Sequence, residues 1–305
     1  MQIFFATLPQ QLIDGLTLGA VYALIALGYS MVYGVLRLLN FAHGDVYMVG
    51  AFIGYFVMQA LIPTSVPIIV IVLMLLAAMI GCGLLGVVIE QFAYRPLRNA
   101  PRIAPLISAL GVSFFLENAV QLTLTAQYRV YQTEKLIPPA LGVQLGNARL
   151  SATRGLVIGA AIILMILLQY LVRNTRLGKA MRAVAIDREA AAMMGINVDQ
   201  VIVFTFFVGS ALAGAGGVLT GLVFTRIWNL MGFTAGLKGF VAAVLGGIGN
   251  IPGAMLGGFI LGLTETFAVF FISSTYKDAV SFVVLVIVLL IRPQGLLGAR
   301  IPQKV

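Results

Sequence analysis

Apolar residues form continuous blocks of about twenty positions along most of this 305-residue chain, which is the length that a helix needs to cross a membrane. Transmembrane β-strands would instead alternate polar and apolar residues over about ten positions. The pattern predicts an all-α polytopic membrane protein, a bundle of about nine transmembrane helices (eight to ten) with residues 1–305 as one domain. The predicted segments are 11–36, 42–62, 67–92, 104–124, 154–172, 200–224, 236–250, 252–272 and 278–292.

The weakest of these segments is 236–250, which is short and rich in glycine. It runs into the turn-like sequence Gly249-Asn250-Ile251-Pro252-Gly253. Non-helical backbone is tolerated at membrane depth where surrounding protein satisfies its polar groups. The segment is therefore a candidate half-helix or re-entrant hairpin as well as a crossing helix.

Six pairs of glycines recur at a spacing of four residues, which lets helix backbones approach closely. We expect most of them to be packing contacts within the bundle, with some left for a transport path or a subunit interface. The pairs are Gly15/Gly19, Gly50/Gly54, Gly155/Gly159, Gly217/Gly221, Gly253/Gly257 and Gly258/Gly262.

Composition agrees with a membrane protein, because 61% of the residues are hydrophobic and only 10% are charged, against about 25% in a soluble domain. The chain has only one cysteine, Cys82, and one histidine, so we expect neither a disulfide nor a metal site. The net charge of +9 does not indicate a nucleic-acid partner, since the basic residues gather at segment ends. The first residues, MQIFFATLPQQL, lack a basic region and a cleavage site, so we do not expect a cleaved signal peptide.

The distribution of basic residues predicts the orientation. Counting the segments in order places twelve of the 19 basic residues on one side, which the positive-inside rule assigns to the cytoplasm. The N-terminus is then outside and the C-terminus cytoplasmic, and 125–154 is an extracytoplasmic loop with strand-like alternation over 143–150. The twelve are Arg37, Arg95, Arg98, Arg102, Arg173, Arg176, Lys179, Arg182, Arg188, Arg292, Arg300 and Lys304.

The longest charged interruption of the apolar pattern is 173–199, and the count places it in the cytoplasm. Frequent Ala and Met predict that it is helical. A short helix of mixed charge between two spans does little to hold them together, so we expect a partner outside the membrane to bind it. Gly178-Lys179 is followed by Ala180 and is no Walker A motif, so ATP-driven transport would need another chain to hydrolyse ATP.

Polar residues inside or beside the apolar blocks are candidates for the transport path. Asn40, His43 and Asp45 lie where two blocks meet; they form either a tight turn in which Asn40 or Asp45 caps the next helix, or a loop that lines or gates the path. Charges within a span cost roughly 2.5–3.5 kcal/mol on insertion scales and tend to be paired or functional. Three further candidates are Glu117, Lys238 and Glu265, for which substrate contact and a structural ion pair or buried hydrogen bond are equally open. Lys238 and Glu265 have opposite charges and are candidates to pair with each other.

Two other charged residues, Asp14 and Glu90, lie near segment ends and are expected to reach the interface. No catalytic residues are predicted, because the chain carries no GxSxG, HExxH or Cys/His motif. An intramembrane enzyme is therefore disfavoured. A self-contained, ion-coupled secondary transporter is the alternative from a different class, although five scattered charges make a weak proton relay.

Several motifs together resemble the LivH-type permease of bacterial branched-chain amino acid ABC importers, in order and over essentially the whole chain. They are Leu39-Asn40-Phe41-Ala42-His43-Gly44-Asp45, the stretch 175–187, Glu189-Ala190-Ala191, Gly195-Ile196, 238–253 and Arg292-Pro293-Gln294-Gly295-Leu296.

The resemblance implies a multi-pass permease subunit of the bacterial inner membrane that binds no cofactor itself. Its partners would be a second related permease, two ATP-binding subunits that use ATP, and a periplasmic substrate-binding protein. The implied substrates are Leu, Ile and Val, although similar relatives handle urea or short amides. The family's ATPase-docking loop corresponds to Glu189, Ala190, Ala191 and Gly195, with Arg182 and Asp187 as flanking contacts.

Overall fold

A computed structural model describes residues 2–63, 65–98, 100–101 and 103–298, so Arg102, Arg300 and Lys304 of the charge count lie outside the described residues. The prediction of an all-α bundle is confirmed. The helices are α1 (Gln2–Leu36), α2 (His43–Leu61), α3 (Pro67–Ile89), α4 (Ile103–Leu124), α5 (Thr133–Leu136), α6 (Ala152–Asn174), α7 (Arg176–Ile186), α8 (Arg188–Met193), α9 (Val198–Phe224), α10 (Met231–Gly246), α11 (Ile251–Phe271) and α12 (Lys277–Ile291).

Within these ranges eight helices are long and apolar enough to cross a membrane, and α10 is a shorter apolar helix, which together give about nine. The helix α3 continues as a π-helical turn, Glu90–Tyr94, and a 3₁₀ turn, Arg95–Leu97. A second 3₁₀ turn, Ser274–Tyr276, precedes α12. Four short strands form two antiparallel pairs, β1 (Arg129–Val130) with β4 (Arg226–Ile227), and β2 (Gly142–Leu145) with β3 (Ala148–Ser151).

The bundle is built around α1 and α9, which are buried along most of their length. Glycine makes this packing close, and five of the six predicted glycine pairs are confirmed, because a Cβ on any of their members would lie within 3.0 Å of a neighbouring atom. The pair Gly155/Gly159 is the exception. A Cβ on Gly159 would meet nothing within 4 Å, so this pair makes no close contact within the described part of the chain.

Two ends of the bundle can be told apart by what they carry. The hairpin end carries the two strand pairs, and Arg154 there lies 2.8 Å from Asp14. The α8 end carries α7 and α8, the end of α1 and the start of α9. The strand-like alternation predicted over 143–150 is confirmed as the hairpin of β2 and β3.

The glycine-rich α10 connects these two ends. It follows β4 at the hairpin end, and the residues just after it reach the α8 end, where a Cβ on Gly34 near the end of α1 would lie 3.4 Å from the Gly249 carbonyl oxygen. At 16 residues it is about 24 Å long, shorter than a hydrocarbon core of about 30 Å. Close contact with α11, where a Cβ on Gly257 would lie 2.1 Å from the Ala242 carbonyl oxygen, buries its backbone. The segment is therefore one continuous short helix rather than a hairpin.

The chain does turn back into the bundle at another place, between α1 and α2. The residue His43 at the start of α2 packs against Gly28, where a Cβ would lie 2.2 Å from the imidazole Nε2. Gly28 is eight residues before the end of α1, or about 12 Å along its axis. The chain therefore turns back into the bundle after Leu36, and α2 begins inside it.

Candidate functional site

The returning stretch 37–42 brings the predicted cluster of Asn40, His43 and Asp45 into the protein interior. All three side chains are buried, His43 and Asp45 completely. The imidazole of His43 lies edge-on to Tyr29 with ring centroids 4.7 Å apart. The Tyr94 hydroxyl donates to Asn40 Oδ1 at 3.2 Å and is also 3.1 Å from the Leu39 carbonyl oxygen.

The capping interpretation of this cluster is wrong. Ala42 occupies the N-cap of α2, and no side chain caps the helix there. The carboxylate of Asp45 instead accepts a hydrogen bond from Ser113 on α4. Glu117 lies one turn beyond Ser113 and is also buried, so two carboxylates of the predicted set occupy the region between α2 and α4.

The expected pairing of Lys238 and Glu265 is confirmed, with Nζ 2.8 Å from Oε1. Glu265 is completely buried and accepts further hydrogen bonds from the Tyr22 hydroxyl at 2.7 Å and from Ser281. This group lies among α1, α10, α11 and α12, and no hydrogen bond among the described residues joins it to the α2–α4 carboxylates. The predicted site residues thus divide between two regions.

Two residues of the second region were missed from the sequence. Lys277 Nζ lies 3.6 Å from Glu265 Oε2, and Asp278 Oδ1 lies 2.7 Å from Lys238 Nζ. Both stand at the start of a predicted segment, where a charged residue is unremarkable. The feature of the sequence that could have identified them is that Lys277 and Asp278 are adjacent and carry opposite charges.

The predicted cytoplasmic stretch 173–199 is helical, as expected, but forms two helices rather than one. Asp187 separates them: it ends α7, and its carboxylate accepts hydrogen bonds from the backbone N–H groups of Glu189 and Ala190 at 2.9 and 3.1 Å. Such an N-cap favours a new helix start. Gly195 follows α8 with φ +82°, a left-handed conformation that glycine adopts at no steric cost.

The predicted coupling residues are not equally accessible. Glu189, Ala190 and Gly195 are exposed, whereas Ala191, on the inner face of α8, is buried. The Arg182 guanidinium donates to the Val172 carbonyl oxygen at the end of α6, so it joins α7 to a span. The sequence did not single out three apolar side chains around α8 that are more than four-fifths exposed, Ile186, Met193 and Met194.

A second arginine of this stretch reaches another span. Arg188 Nη2 donates to the Leu36 carbonyl oxygen at 2.7 Å, at the end of α1. Burial, and then the positive charges of Arg98 and Arg37, lower the pKa of this guanidinium. The positive charges of three separate stretches therefore meet at the α8 end.

An ion-pair network also joins the end of α3 to the start of α9. Arg98 pairs with both Glu90 and Asp199, and Arg95 Nη2 lies 2.8 Å from Asp199 Oδ2. The expectation that Glu90 reaches the interface was wrong. Its side chain is completely buried, because the π-helical and 3₁₀ turns fold Arg98 back over it.

Comparison with known proteins decides the family. The family described as the branched-chain amino acid transport system permease component matches residues 11–289. The chain belongs to this family. The resemblance drawn from the sequence motifs is thereby confirmed, and the chain is a membrane-spanning permease component.

Relatives within the family align along nearly the whole chain. The high-affinity branched-chain amino acid transport system permease protein BraD of Pseudomonas aeruginosa is 44% identical over 311 residues, covering 97% of each chain. The corresponding LivH protein of Escherichia coli K12 is 40% identical over 309 residues, again 97% of each. Among solved structures, PsaBC from Streptococcus pneumoniae in complex with Fab shares the fold, with a TM-score of 0.50 and 12% identity over 96% of each chain.

Proposed function

We propose that this chain is a permease subunit of an ATP-driven, high-affinity importer for the branched-chain amino acids Leu, Ile and Val in the bacterial inner membrane. The observation that carries the proposal is the 40–44% identity over 97% of the chain to relatives named for that transport system. The chain would form the translocation path together with a second, related permease.

The proposal divides the work among separate chains. Two ATP-binding subunits would hydrolyse ATP, since this sequence has no Walker A motif. A periplasmic binding protein would deliver the amino acid to the hairpin end, and the α8 end would face the cytoplasm. Specificity would then lie mainly in the binding protein, and the permease would provide a conduit of low affinity.

The proposed ATPase contact is the surface around α8. It presents the exposed side chains of Ile186, Met193 and Met194 beside Glu189 and Gly195. Exposed apolar side chains clustered at one place are typical of a protein interface. Movement of α8 would reach α1 through Arg188 and α6 through Arg182, because each guanidinium is bonded to carbonyl groups at the end of that helix.

The proposed translocation path lies inside the helical bundle, and the buried polar residues would line it. It would pass the α2–α4 region with Asn40, His43, Asp45 and Glu117, and the region of Lys238 and Glu265. In a membrane-spanning bundle, buried polar groups that face the interior commonly mark a substrate pathway.

Uptake of labelled leucine into membrane vesicles tests the proposal. We expect uptake to require the complete importer, ATP on the cytoplasmic side and the loaded binding protein on the other. Transport by the purified chain alone in liposomes, driven by an ion gradient, would instead identify a self-contained secondary transporter.

The α8 contact has its own test within the same vesicles. Gly195→Val places a branched residue at φ +82°, and Glu189→Lys reverses an exposed charge, so both should abolish ATP-dependent uptake while the chain still inserts. Gly195→Asn is the matched control, since Asn tolerates this conformation. Normal uptake by both test variants would show that the ATPase binds elsewhere.

A further inference from the structure

A cavity of about 330 Å³ lies among α1, α9, α10 and the first turn of α12, with Trp228 at its side. This volume is within the range of small-molecule sites, roughly 300–1,000 Å³. Much of the wall is apolar and comes from three helices. The apolar wall residues are Leu18, Val21, Phe224, Met231 and Ala235.

The polar part of the wall contains charges of both signs close together. Lys277 and Asp278 are adjacent in the chain and both line the cavity. Lys277 Nζ has a single distant carboxylate partner, Glu265 Oε2 at 3.6 Å, and a third of its side chain is exposed. Asp278 uses Oδ1 to contact Lys238, and 66% of its side chain is exposed. One cation and one anion are thus available at the same rim.

The other charged side chains at or behind the cavity differ in how available they are. Lys238 lies between Glu265 and Asp278, at 2.8 and 2.7 Å, and is only 10% exposed. Glu265 is completely buried behind it. Arg226 also lines the cavity and is exposed, and it adds a second cation near Lys277.

A second cavity of about 260 Å³ shares Leu18, Phe224 and Lys277 with the first. It contains the ion pair of Asp14 and Arg154, with 2.8 Å between the charged atoms and about a third of each side chain exposed. The two adjoining cavities therefore each carry a mixed-charge pair, Lys277 and Asp278 in the first and Asp14 and Arg154 in the second, and they share the apolar side chains of Leu18 and Phe224.

We propose that the larger cavity is a weak binding site for an aliphatic α-amino acid in its zwitterionic form. Its carboxylate binds Lys277, its ammonium group binds Asp278, and its branched side chain packs against Val21, Phe224 and Met231. The two charged groups of an α-amino acid sit on one carbon, which suits adjacent side chains of opposite sign. The site deepens the proposed function, and its role in import rests on that function.

Labelling with a water-soluble maleimide tests binding directly. The only native cysteine, Cys82, is buried, so Ala235→Cys in a Cys82→Ala chain supplies a thiol in the cavity wall. In membranes from cells that express the full chain with its partner subunits, leucine should slow the labelling. Leucinamide, which lacks the carboxylate, and 4-methylpentanoate, which lacks the ammonium group, should protect far less. A labelling rate that leucine does not change would overturn the site, and equal protection by 4-methylpentanoate would overturn the zwitterion assignment.

A transport measurement shows whether the site is used. Lys277→Gln and Asp278→Asn should each lower leucine uptake by about tenfold, the effect of losing one charge-assisted hydrogen bond. Hydrolysis of ATP stimulated by the loaded binding protein should persist, which a misfolded chain would not allow. The control is Lys135→Gln, a loss of the same charge on the exposed part of the 125–154 loop.

The two proposals fail differently. If the wild-type importer carries no leucine, the proposed function is wrong, and the labelling result alone decides the site. If the wild-type importer carries leucine and both charge variants match it, the function stands and the site is wrong.

Discussion

At the residue scale, charge burial in this protein is tolerated through pairing. The sequence allowed the pairing of Lys238 and Glu265 to be predicted, because both interrupt apolar segments and have opposite signs. It did not reveal the burial of Glu90, which depends on how two irregular turns place Arg98. A buried carboxylate without its cation is costly, whereas an exposed pair contributes little.

This difference predicts unequal effects of two neighbouring arginines. Arg98→Gln leaves Glu90 buried without its cation and should lower the free energy of unfolding by about 3–5 kcal/mol. Arg95→Gln removes a pair in which both side chains are about half exposed and should cost at most about 1 kcal/mol. Unfolding in mixed micelles measures both. The double variant Glu90→Gln/Arg98→Gln should recover part of the loss, and an Arg98→Gln chain as stable as Arg95→Gln would contradict this account.

Glycine spacing gives a second prediction at this scale, because it identifies candidates for close contact but not the partner. A Cβ on Gly50 would lie 2.4 Å from the Gly214 Cα, so Gly50→Ala should destabilise by about 1–3 kcal/mol. Gly159→Ala adds its methyl group in open space and should be neutral or stabilise by up to about 1 kcal/mol. The same unfolding measurement compares them, and equal effects would mean that α2 and α9 do not pack as described.

At the element scale, the lengths of the apolar blocks predicted where the helices lie in the sequence, but not how deep in the bundle each helix begins. The block 42–62 reads as a full span, yet α2 begins beside Gly28 because the chain turns back after α1. Hydropathy cannot register this, since residues buried in protein and residues facing lipid are equally apolar. Asp187 similarly divides the 173–199 stretch through a cap that composition alone did not single out.

The contact between α8 and α1 supports a prediction about how the two move together. Arg188→Gln should remove the charge-assisted bonds to the carbonyl groups at the end of α1 and leave the exposed surface of α8 intact. We expect the importer to retain its ATPase subunits but to transport less leucine per ATP hydrolysed. Lys179→Gln, on an exposed position of α7, is the control. Unchanged transport per ATP would show that α1 moves independently of α8.

At the scale of the whole molecule, the charge count and the packing agree on which connections share an end. Arg37, Arg98 and Arg188 come from three separate connections of the sequence and lie near one another at the α8 end. The strand pairs and the pair of Asp14 and Arg154 occupy the opposite end. Counting the segments could predict this partition because each long helix takes the chain from one end of the bundle to the other. The short helix α10 also runs between the two ends, so successive connections still alternate between them.

The assignment of these ends to the two sides of the membrane is a prediction that thiol labelling can test. In a Cys82→Ala chain, Asn147→Cys places a thiol in the turn between β2 and β3, and Lys179→Cys places one on α7, both at exposed positions. The positive-inside rule places the α8 end in the cytoplasm. An impermeant maleimide should therefore label the Asn147→Cys chain in intact spheroplasts and the Lys179→Cys chain only after the membrane is opened. The reverse pattern would put the α8 surface outside, where no ATPase could bind it, and would remove the basis for coupling through Arg182 and Arg188.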